Sequence, residues 1–419
     1  MRVLMITTPA GSHFTLLVPM AWALRAAGHE VLVAGQPDVL DDIAAAGLNA
    51  VPVGDPFHGL DIVRAFLGEE RRPIEAIPRA TPETAGQHGW AWMNHARYLL
   101  PRYLELARAW RPDLVLADTL EYCSLIVGGA LGVPVVHHRW GADPFGDEAR
   151  AAMRPHLARW CRDAGVAELP EPDLLLDPSP PGLRLPGTKE GAPLRYVAYN
   201  GNGALPDWLR QDIERGPTGT RRVAVSLGSR TLALNGVPHM RTVLHALGAL
   251  GDVEIVATVG PGYRDRVGPV PPNVRMVDPV PLHLLLSTCD AMVHHGGGAS
   301  TLTATWAGLP QLALPQMADQ FAHGERLTAA GVGITLDTAE AQDDPRRVAE
   351  AVADLLAEPA YRAAVDQLRG EMELMPTPAR VVPSLERLAG QETERAERAE
   401  KAERAEKAED KEEAPCVSS

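Results

Sequence analysis

Residues 291–301 read AMVHHGGGAST, an apolar run followed by two histidines, three glycines and the start of a new segment. The apolar run is typical of a buried strand, and the new segment predicts a helix beginning near Ser300. Glycines let the backbone approach a ligand closely, and the N–H groups at a helix N-terminus favour an anion. The turn therefore predicts an anion site, with candidate residues His295, Gly297, Gly298, Ala299 and Ser300.

A purely structural interpretation of this turn is also open, with Ser300 acting only as the cap of the helix. The paired histidines at the strand end favour the anion site, because an imidazole there can donate a hydrogen bond to a phosphate oxygen. A metal site would require a further cluster of ligands.

The same alternation of strands and helices extends outward from the turn in both directions. Strand-like runs of the second half lie at 222–227, 253–259, 274–277, 291–294 and 311–314. Those of the first half lie at 2–7, 30–34, 50–53, 113–117 and 133–137. This repetition predicts parallel sheets covered by helices on both faces. The predicted fold class is α/β, with two Rossmann-like, doubly wound domains facing each other across a cleft.

Domain boundaries follow from composition. Prolines and glycines crowd together up to residue 219, which is typical of a connection between domains. We therefore predict a first domain at 1–200, a linker at 201–219 and a second domain at 220–390. Residues 391–419 form a charged tail in which acidic, basic and alanine residues nearly repeat every three positions. Its i,i+4 charge pairs suit a solvated surface segment without chemistry.

Bulk composition excludes several functions. The chain has 419 residues, of which 54 are acidic and 40 are basic, and its formal net charge is −14. That charge opposes non-specific binding to nucleic acid or to an anionic membrane. The sequence lacks the layout of a signal peptide and an apolar run long enough to span a membrane. Its four scattered cysteines fit neither a disulfide framework nor a zinc site. We expect a cytoplasmic protein with no membrane insertion.

Two other loops of the second domain follow predicted strands. Asp319 and Gln320 come after the strand at 311–314, and a carboxylate with an amide suits the hydroxyls of a sugar. Ser229 and Arg230 follow the strand at 222–227, where a guanidinium could pair with a diphosphate. The alternatives are exposed residues at the start of a helix and a surface arginine.

The first domain carries a candidate base. The loop at 8–13 has no G-x-G-x-x-G, so it is no dinucleotide fingerprint. His13 lies at the mouth of the cleft, where a histidine can act as a general base if a carboxylate orients its other nitrogen. Asp118, at the end of the strand at 113–117, is placed to supply that carboxylate. Packing of His13 and helix capping by Asp118 remain open as alternatives.

Aromatic residues concentrate between Asp55 and Arg111, in an insertion that interrupts the α/β pattern. We predict that this segment and a later loop bind a hydrophobic acceptor, although core packing is the alternative for each ring. The candidate acceptor-binding residues are Phe57, Phe66, Trp90, Trp92 and Trp140.

These residues together resemble family 1 of the glycosyltransferases, particularly the actinobacterial enzymes that attach deoxysugars to polyketide antibiotics. The resemblance runs from residue 1 to about 390 and is greatest to the macrolide branch that contains the erythromycin desosaminyltransferase. It rests on LLVPMAWA at 16–23, LRYVAYNG at 194–201 and HHGG at 294–297. The resemblance implies the GT-B fold and transfer of a sugar from a dTDP- or UDP-sugar, with no cofactor.

The resemblance also implies roles for individual residues. His13 matches the catalytic base and Asp118 its carboxylate partner. His295, Gly297 and Ser300 match the diphosphate-binding turn, and Asp319 with Gln320 matches the pair that holds the donor sugar.

Two departures from the family pattern concern the nucleotide. The usual Ala-Gly order of the turn is Gly298-Ala299 here, and Pro279 replaces an aromatic residue that commonly stacks on the base. Val280 and Leu282 then become the expected neighbours of the base. Some enzymes of the macrolide branch need a helper protein related to cytochromes P450, and the aromatic insertion is where such a partner would bind.

The resulting hypothesis is an inverting transfer in one displacement, with His13 as base and no metal. The absence of any D-x-D spacing in the sequence agrees with a metal-free site. Two alternatives of other classes are a nucleotide-sugar epimerase of the same fold, which would not need an acceptor pocket, and a non-catalytic protein that binds sugar nucleotides.

Overall fold

The computed structural model describes residues 1–79, 81–144, 146–216 and 218–391. The charged tail predicted at 391–419 lies outside the described residues, apart from residue 391. Within them, no helix is both long enough and apolar enough to cross a membrane.

The first sheet has seven parallel strands in the order β3-β2-β1-β4-β5-β6-β7. Its strands and helices, in chain order, are β1 (Arg2–Ile6), α1 (Gly11–Ala26), β2 (Glu30–Gly35), α2 (Leu40–Ala45), β3 (Asn49–Pro52), α3 (Gly59–Leu67), α4 (Pro73–Ala76), α5 (Ala85–Trp110), β4 (Leu114–Asp118), α6 (Tyr122–Leu131), β5 (Val135–His138), α7 (Gly146–Asp163), β6 (Leu174–Asp177) and β7 (Ala192–Pro193).

The second sheet has six parallel strands in the order β10-β9-β8-β11-β12-β13. Its elements are α8 (Asp207–Arg215), β8 (Arg221–Ser226), α9 (Ser229–Ala233), α10 (Val237–Gly248), β9 (Val253–Thr258), α11 (Pro261–Val267), β10 (Val274–Val277), α12 (Leu282–Leu286), β11 (Ala291–His294), α13 (Gly298–Trp306), β12 (Gln311–Ala313), α14 (Gln320–Ala329), β13 (Gly333–Thr335), α15 (Ala339–Asp343), α16 (Pro345–Ala357) and α17 (Pro359–Leu374). A last helix, α18, spans 378–391.

The apolar strand runs reflect burial of both faces of each sheet. In β1, Val3 and Met5 belong to one hydrophobic cluster, and Leu4 and Ile6 belong to the cluster on the opposite face. Successive side chains of a strand point to opposite faces, so a strand covered on both sides is apolar at every position. The two parallel sheets, each covered by helices, confirm the predicted fold class.

Helix α18 packs on the first domain although it follows the second in sequence. Val381, Val382 and Leu385 are buried in the same cluster as Val3 of β1. The sequence pattern assigns residues 220–390 to the second domain, so the last part of that range crosses back to the first sheet. The chain therefore passes between the domains twice, and both crossings tie them together.

Candidate active site

A cavity of about 460 Å³ lies between the two domains. The loops that line it follow β1, β5, β8, β11 and β12, so it opens at the carboxyl ends of both sheets, where α/β folds bind ligands. The structure brings most of the predicted site residues together here: His13, Trp92, Trp140, Ser229, Arg230, Leu282, His295, Gly297, Gly298, Ala299, Ser300, Asp319 and Gln320.

Phe66 and Trp90 do not line the cavity. Their exposed fractions are 59% and 47%. Phe66 lies on α3, and the ring of Trp90 on α5 lies 5.3 Å from that of His156 on α7. Both side chains lie on surface-facing sides of their helices, so the structure does not place either ring in the acceptor pocket.

Three further predicted residues do not line the cavity themselves. Phe57 stacks on Trp92 with 6.1 Å between ring centroids, so it supports a lining residue. Val280 precedes α12 and packs against the hydrophobic cluster that contains Leu285, while Leu282 reaches the cavity. Asp118 is 1% exposed at the end of β4.

His13 and Asp118 are linked through Thr8. Nδ1 of His13 is 4.0 Å from Oδ1 of Asp118, which is too long for a direct hydrogen bond. The Thr8 hydroxyl lies between them, 2.9 Å from Nδ1 of His13 and 2.9 Å from Oδ2 of Asp118. The backbone N–H groups of Thr8 and Leu120 also donate to the Asp118 carboxylate, at 3.0 Å each. The Asp118 carboxylate is thus hydrogen-bonded to Thr8, which follows β1, and to Leu120, which follows β4.

Trp140 restrains the orientation of the His13 ring by stacking on it. The two rings stack with 4.5 Å between centroids and 16° between planes. Burial lowers the pKa of His13, while the charges of Asp118 and Asp319 act in the opposite direction. A partly buried imidazole with a lowered pKa is neutral near pH 7, which is the form that can accept a proton.

The glycine turn between β11 and α13 requires glycine at two positions. Gly296 has φ +79°, a left-handed conformation that other residues rarely adopt. A Cβ on Gly298 would collide with the carbonyl oxygen of Trp140 in the first domain. The Gly-Ala order at 298–299 is therefore explained by close contact between the domains at the start of α13.

The two histidines of this turn have different surroundings. His294 is buried; the N–H of Gly296 donates to its Nδ1 at 3.0 Å, and its Nε2 is 2.9 Å from Oε1 of Gln311. Burial lowers its pKa to about 3. His295 lines the cavity, and burial lowers its pKa to about 4, while the backbone of Ser226 opposes the shift. His294 therefore shapes the turn, and His295 faces the ligand space as a neutral imidazole.

Arg230 contributes a positive charge to the cavity wall. Burial lowers its pKa, and the charge of Asp319 opposes that shift. Its Nε is buried and has no hydrogen-bond partner among the residues that the structure describes. A partly buried guanidinium with an unused donor is suited to an anionic ligand.

Asp319 and Gln320 lie at the start of α14. Burial raises the pKa of Asp319, and the interactions with His13 and Arg230 counteract the shift. Oε1 of Gln320 accepts from the backbone N–H groups of Gln316 (2.8 Å) and Met317 (3.2 Å). The Gln320 amide therefore offers mainly donors to a ligand, and Asp319 supplies the acceptor.

Sequence reasoning missed several residues of this site. His88, Tyr199 and Asn200 line the cavity, and Thr8 joins His13 to Asp118. Thr8 lies in the segment at 8–13 that the sequence pattern predicts as one loop, although His13 belongs to α1. This proximity in sequence was the available signal. His88 lies on the long helix α5, and nothing in its local pattern distinguishes it from a surface histidine.

The comparisons with known proteins agree with this geometry. The chain is 37% identical over 427 residues to the tylactone mycaminosyltransferase of Streptomyces fradiae, covering 93% of this chain and 92% of that protein. It is 35% identical over 430 residues to the 3-alpha-mycarosylerythronolide B desosaminyl transferase of Saccharopolyspora erythraea, covering 94% and 100%. The solved structure of the spinosyn rhamnosyltransferase SpnG matches with a TM-score of 0.82 and 37% identity, covering 92% of this chain and 100% of that one.

Two Rossmann-like domains, a glycine turn on one side of the cleft and a partly buried histidine on the other define a glycosyltransferase of the GT-B fold. Family models for the N-terminal and C-terminal domains of erythromycin biosynthesis protein CIII-like proteins match residues 22–228 and 241–388. The chain belongs to this family, and the resemblance identified from the sequence is confirmed.

Proposed function

We propose that the protein transfers a deoxysugar from a nucleoside diphosphate donor, dTDP- or UDP-linked, to a hydroxyl of a hydrophobic polyketide-like acceptor, with inversion. The observation that carries this proposal is the cavity itself, which has His13 and two tryptophans on one side and the glycine turn with Arg230 on the other. The tylactone mycaminosyltransferase and the 3-alpha-mycarosylerythronolide B desosaminyl transferase to which the chain is similar support the choice of acceptor class.

The reaction is a single displacement. Nε2 of His13 takes the proton of the acceptor hydroxyl while that oxygen forms a bond to the anomeric carbon. The bond from the anomeric carbon to the diphosphate oxygen breaks on the opposite side, and the diphosphate leaves with the electron pair. The products are the glycoside, the nucleoside diphosphate and a proton carried on His13.

The leaving group is stabilised by groups that are already in place. The N–H groups at the start of α13, with Ser300 and His295, donate to the diphosphate, and Arg230 supplies a positive charge. Asp319 and Gln320 hold the sugar hydroxyls. These residues neutralise the developing charge in this scheme, and it uses neither a cofactor nor a metal.

The acceptor lies on the first-domain side. Trp92 and Trp140 offer aromatic surface to a hydrophobic acceptor ring. The nucleoside base of the donor would lie elsewhere in the cavity, beside Tyr199 and Leu282. Phe57 contributes from behind Trp92.

A helper protein related to cytochromes P450 is the second component of the proposal. The insertion exposes Ile62 and Phe66 on one helix, with exposed fractions of 58% and 59%, and these apolar side chains support its assignment as the partner contact. Cytoplasmic localisation is supported by Cys123 and Cys161, which are buried as free thiols, because a reducing compartment suits them.

A donor screen tests the function. A dTDP- or UDP-sugar at 100 times its dissociation constant should stabilise the fold by about 2.7 kcal/mol, and the bound donors should then be assayed with macrolactone acceptors, with and without the helper. Transfer of the sugar with inverted anomeric configuration is the expected result. Interconversion of the donor without an acceptor would establish the epimerase instead, and binding without turnover would establish a non-catalytic protein.

A further inference from the structure

The Thr8 hydroxyl is within hydrogen-bond distance of both His13, the proposed general base, and its carboxylate partner Asp118. Thr8 is fully buried two residues after the end of β1. Its Oγ1 is 2.9 Å from Nδ1 of His13 and 2.9 Å from Oδ2 of Asp118. The same Asp118 oxygen accepts the Thr8 backbone N–H at 3.0 Å. The backbone N–H and the hydroxyl of Thr8 are therefore both bound to the Asp118 carboxylate, which fixes the direction of the hydroxyl.

Counting donors sets the direction of each hydrogen bond. An ionised carboxylate only accepts, and a hydroxyl has one hydrogen, so the Thr8 hydroxyl donates to Asp118. Its oxygen can then only accept from His13, which places the histidine proton on Nδ1. Nε2 is left as the lone-pair nitrogen of His13.

We propose that Thr8 is a positioning residue that connects Asp118 to the base. It holds His13 in the Nδ1-protonated tautomer and transmits the charge of Asp118 to the imidazolium that forms when Nε2 takes the acceptor proton. We call the hydrogen-bonded series Asp118–Thr8–His13 the relay. No proton moves along it, and Thr8 keeps its hydroxyl proton throughout. The inference rests on the proposed function, in which His13 is the general base.

A β-branched residue suits this position. Threonine has few χ1 rotamers, so its hydroxyl is held between two partners at little further entropy cost. Valine has nearly the same shape and lacks the hydroxyl, which makes Thr8→Val the test and Thr8→Ser the matched control that keeps the hydroxyl.

The kinetic test compares these two variants with wild type. A general base contributes about 10²–10⁴-fold, and Thr8→Val should lose part of that, lowering kcat by on the order of 10-fold or more. Without the relay the imidazolium is less stabilised, so the acid limb of the kcat/KM profile should move to lower pH. Thr8→Ser should recover most of kcat and the wild-type limb. The affinity for the nucleoside diphosphate alone should stay the same in all three proteins. Unchanged kcat and pH profile in Thr8→Val, or equal damage in Thr8→Ser, overturns the relay.

A second measurement needs no turnover. Long-range proton–nitrogen correlation on protein with ¹⁵N-labelled histidine reports which ring nitrogen carries the proton, and His13→Gln identifies the His13 signals among the 14 histidines. The wild-type signal should be that of the Nδ1-protonated tautomer, and an Nε2-protonated signal rejects the relay even if Thr8→Val fails to fold. If His13→Gln keeps full activity while the tautomer is as expected, the proposed base fails and the relay stands as a structural feature.

Discussion

The backbone N–H of Ala142 donates to Nε2 of His323 at 3.0 Å, and this hydrogen bond joins the two domains beside the active site. The other ring nitrogen of His323 lies 3.0 Å from the carbonyl of Asp319, so the histidine also holds the start of α14. Burial lowers its pKa to about 4, which keeps Nε2 available as an acceptor. The loop that carries Trp140 and the loop that carries Asp319 are thus positioned by one neutral side chain.

Replacing Gly298 by alanine should separate the domains at this same interface. The new Cβ would collide with the Trp140 carbonyl, and overpacking of this kind costs about 1–3 kcal/mol. We expect a lower melting temperature and weaker binding of the nucleoside diphosphate, measured by calorimetry. Gly262→Ala in α11 is the matched control, because a Cβ there meets nothing within 4 Å and should be neutral or stabilising. Equal behaviour of the two variants would show that the contact tolerates a methyl group.

His295→Ala should weaken the binding of the donor and leave the binding of the acceptor unchanged. A hydrogen bond to a charged partner is worth about 1.5–3 kcal/mol, so the dissociation constant of the nucleoside diphosphate should rise about 10-fold or more. Titration calorimetry with the diphosphate alone measures this. His245→Ala on α10, whose Nε2 lies 3.1 Å from the carbonyl oxygen of Pro269, is the control. Unchanged diphosphate affinity in a folded His295→Ala protein would make the turn a structural feature only.

The stability of the protein should fall as pH drops from about 6.5 towards 4. Burial lowers the pKa of several histidines to about 3 or about 4, so the unfolded chain binds more protons than the folded chain in this window. Each such group can remove at most about 1.4 kcal/mol of unfolding free energy per pH unit. Urea unfolding at pH 5, 6 and 7 measures the slope, and His294→Gln should reduce it. A flat profile contradicts neutral burial of these side chains. The histidines concerned are His95, His137, His138, His294, His295 and His323.

Glu121 should act in the opposite direction. Burial, followed by the charge of Asp118, raises its pKa to about 8, so the folded state retains a proton that the unfolded state releases near pH 4.5. Its own contribution to stability therefore declines as pH rises from 4.5 to 8, by up to about 1.4 kcal/mol per pH unit. Glu121→Gln removes this dependence, and its stability relative to wild type should increase between pH 6 and pH 8. A constant difference between the two proteins would mean that Glu121 is ionised at both pH values.

The sequence alone determined the two α/β domains and the cleft loops, because strands covered on both faces must be apolar along their length. The glycine turn was also readable, since glycine and a helix start are local requirements. Contacts between distant segments were decided only by the tertiary structure. Local patterns do not record which side chain stands between two others, so Thr8 between His13 and Asp118 was missed, as was the return of α18 to the first sheet. The same reason explains Phe66 and Trp90, because an aromatic residue in an amphipathic helix has the same local pattern whether its ring faces the cavity or the surface.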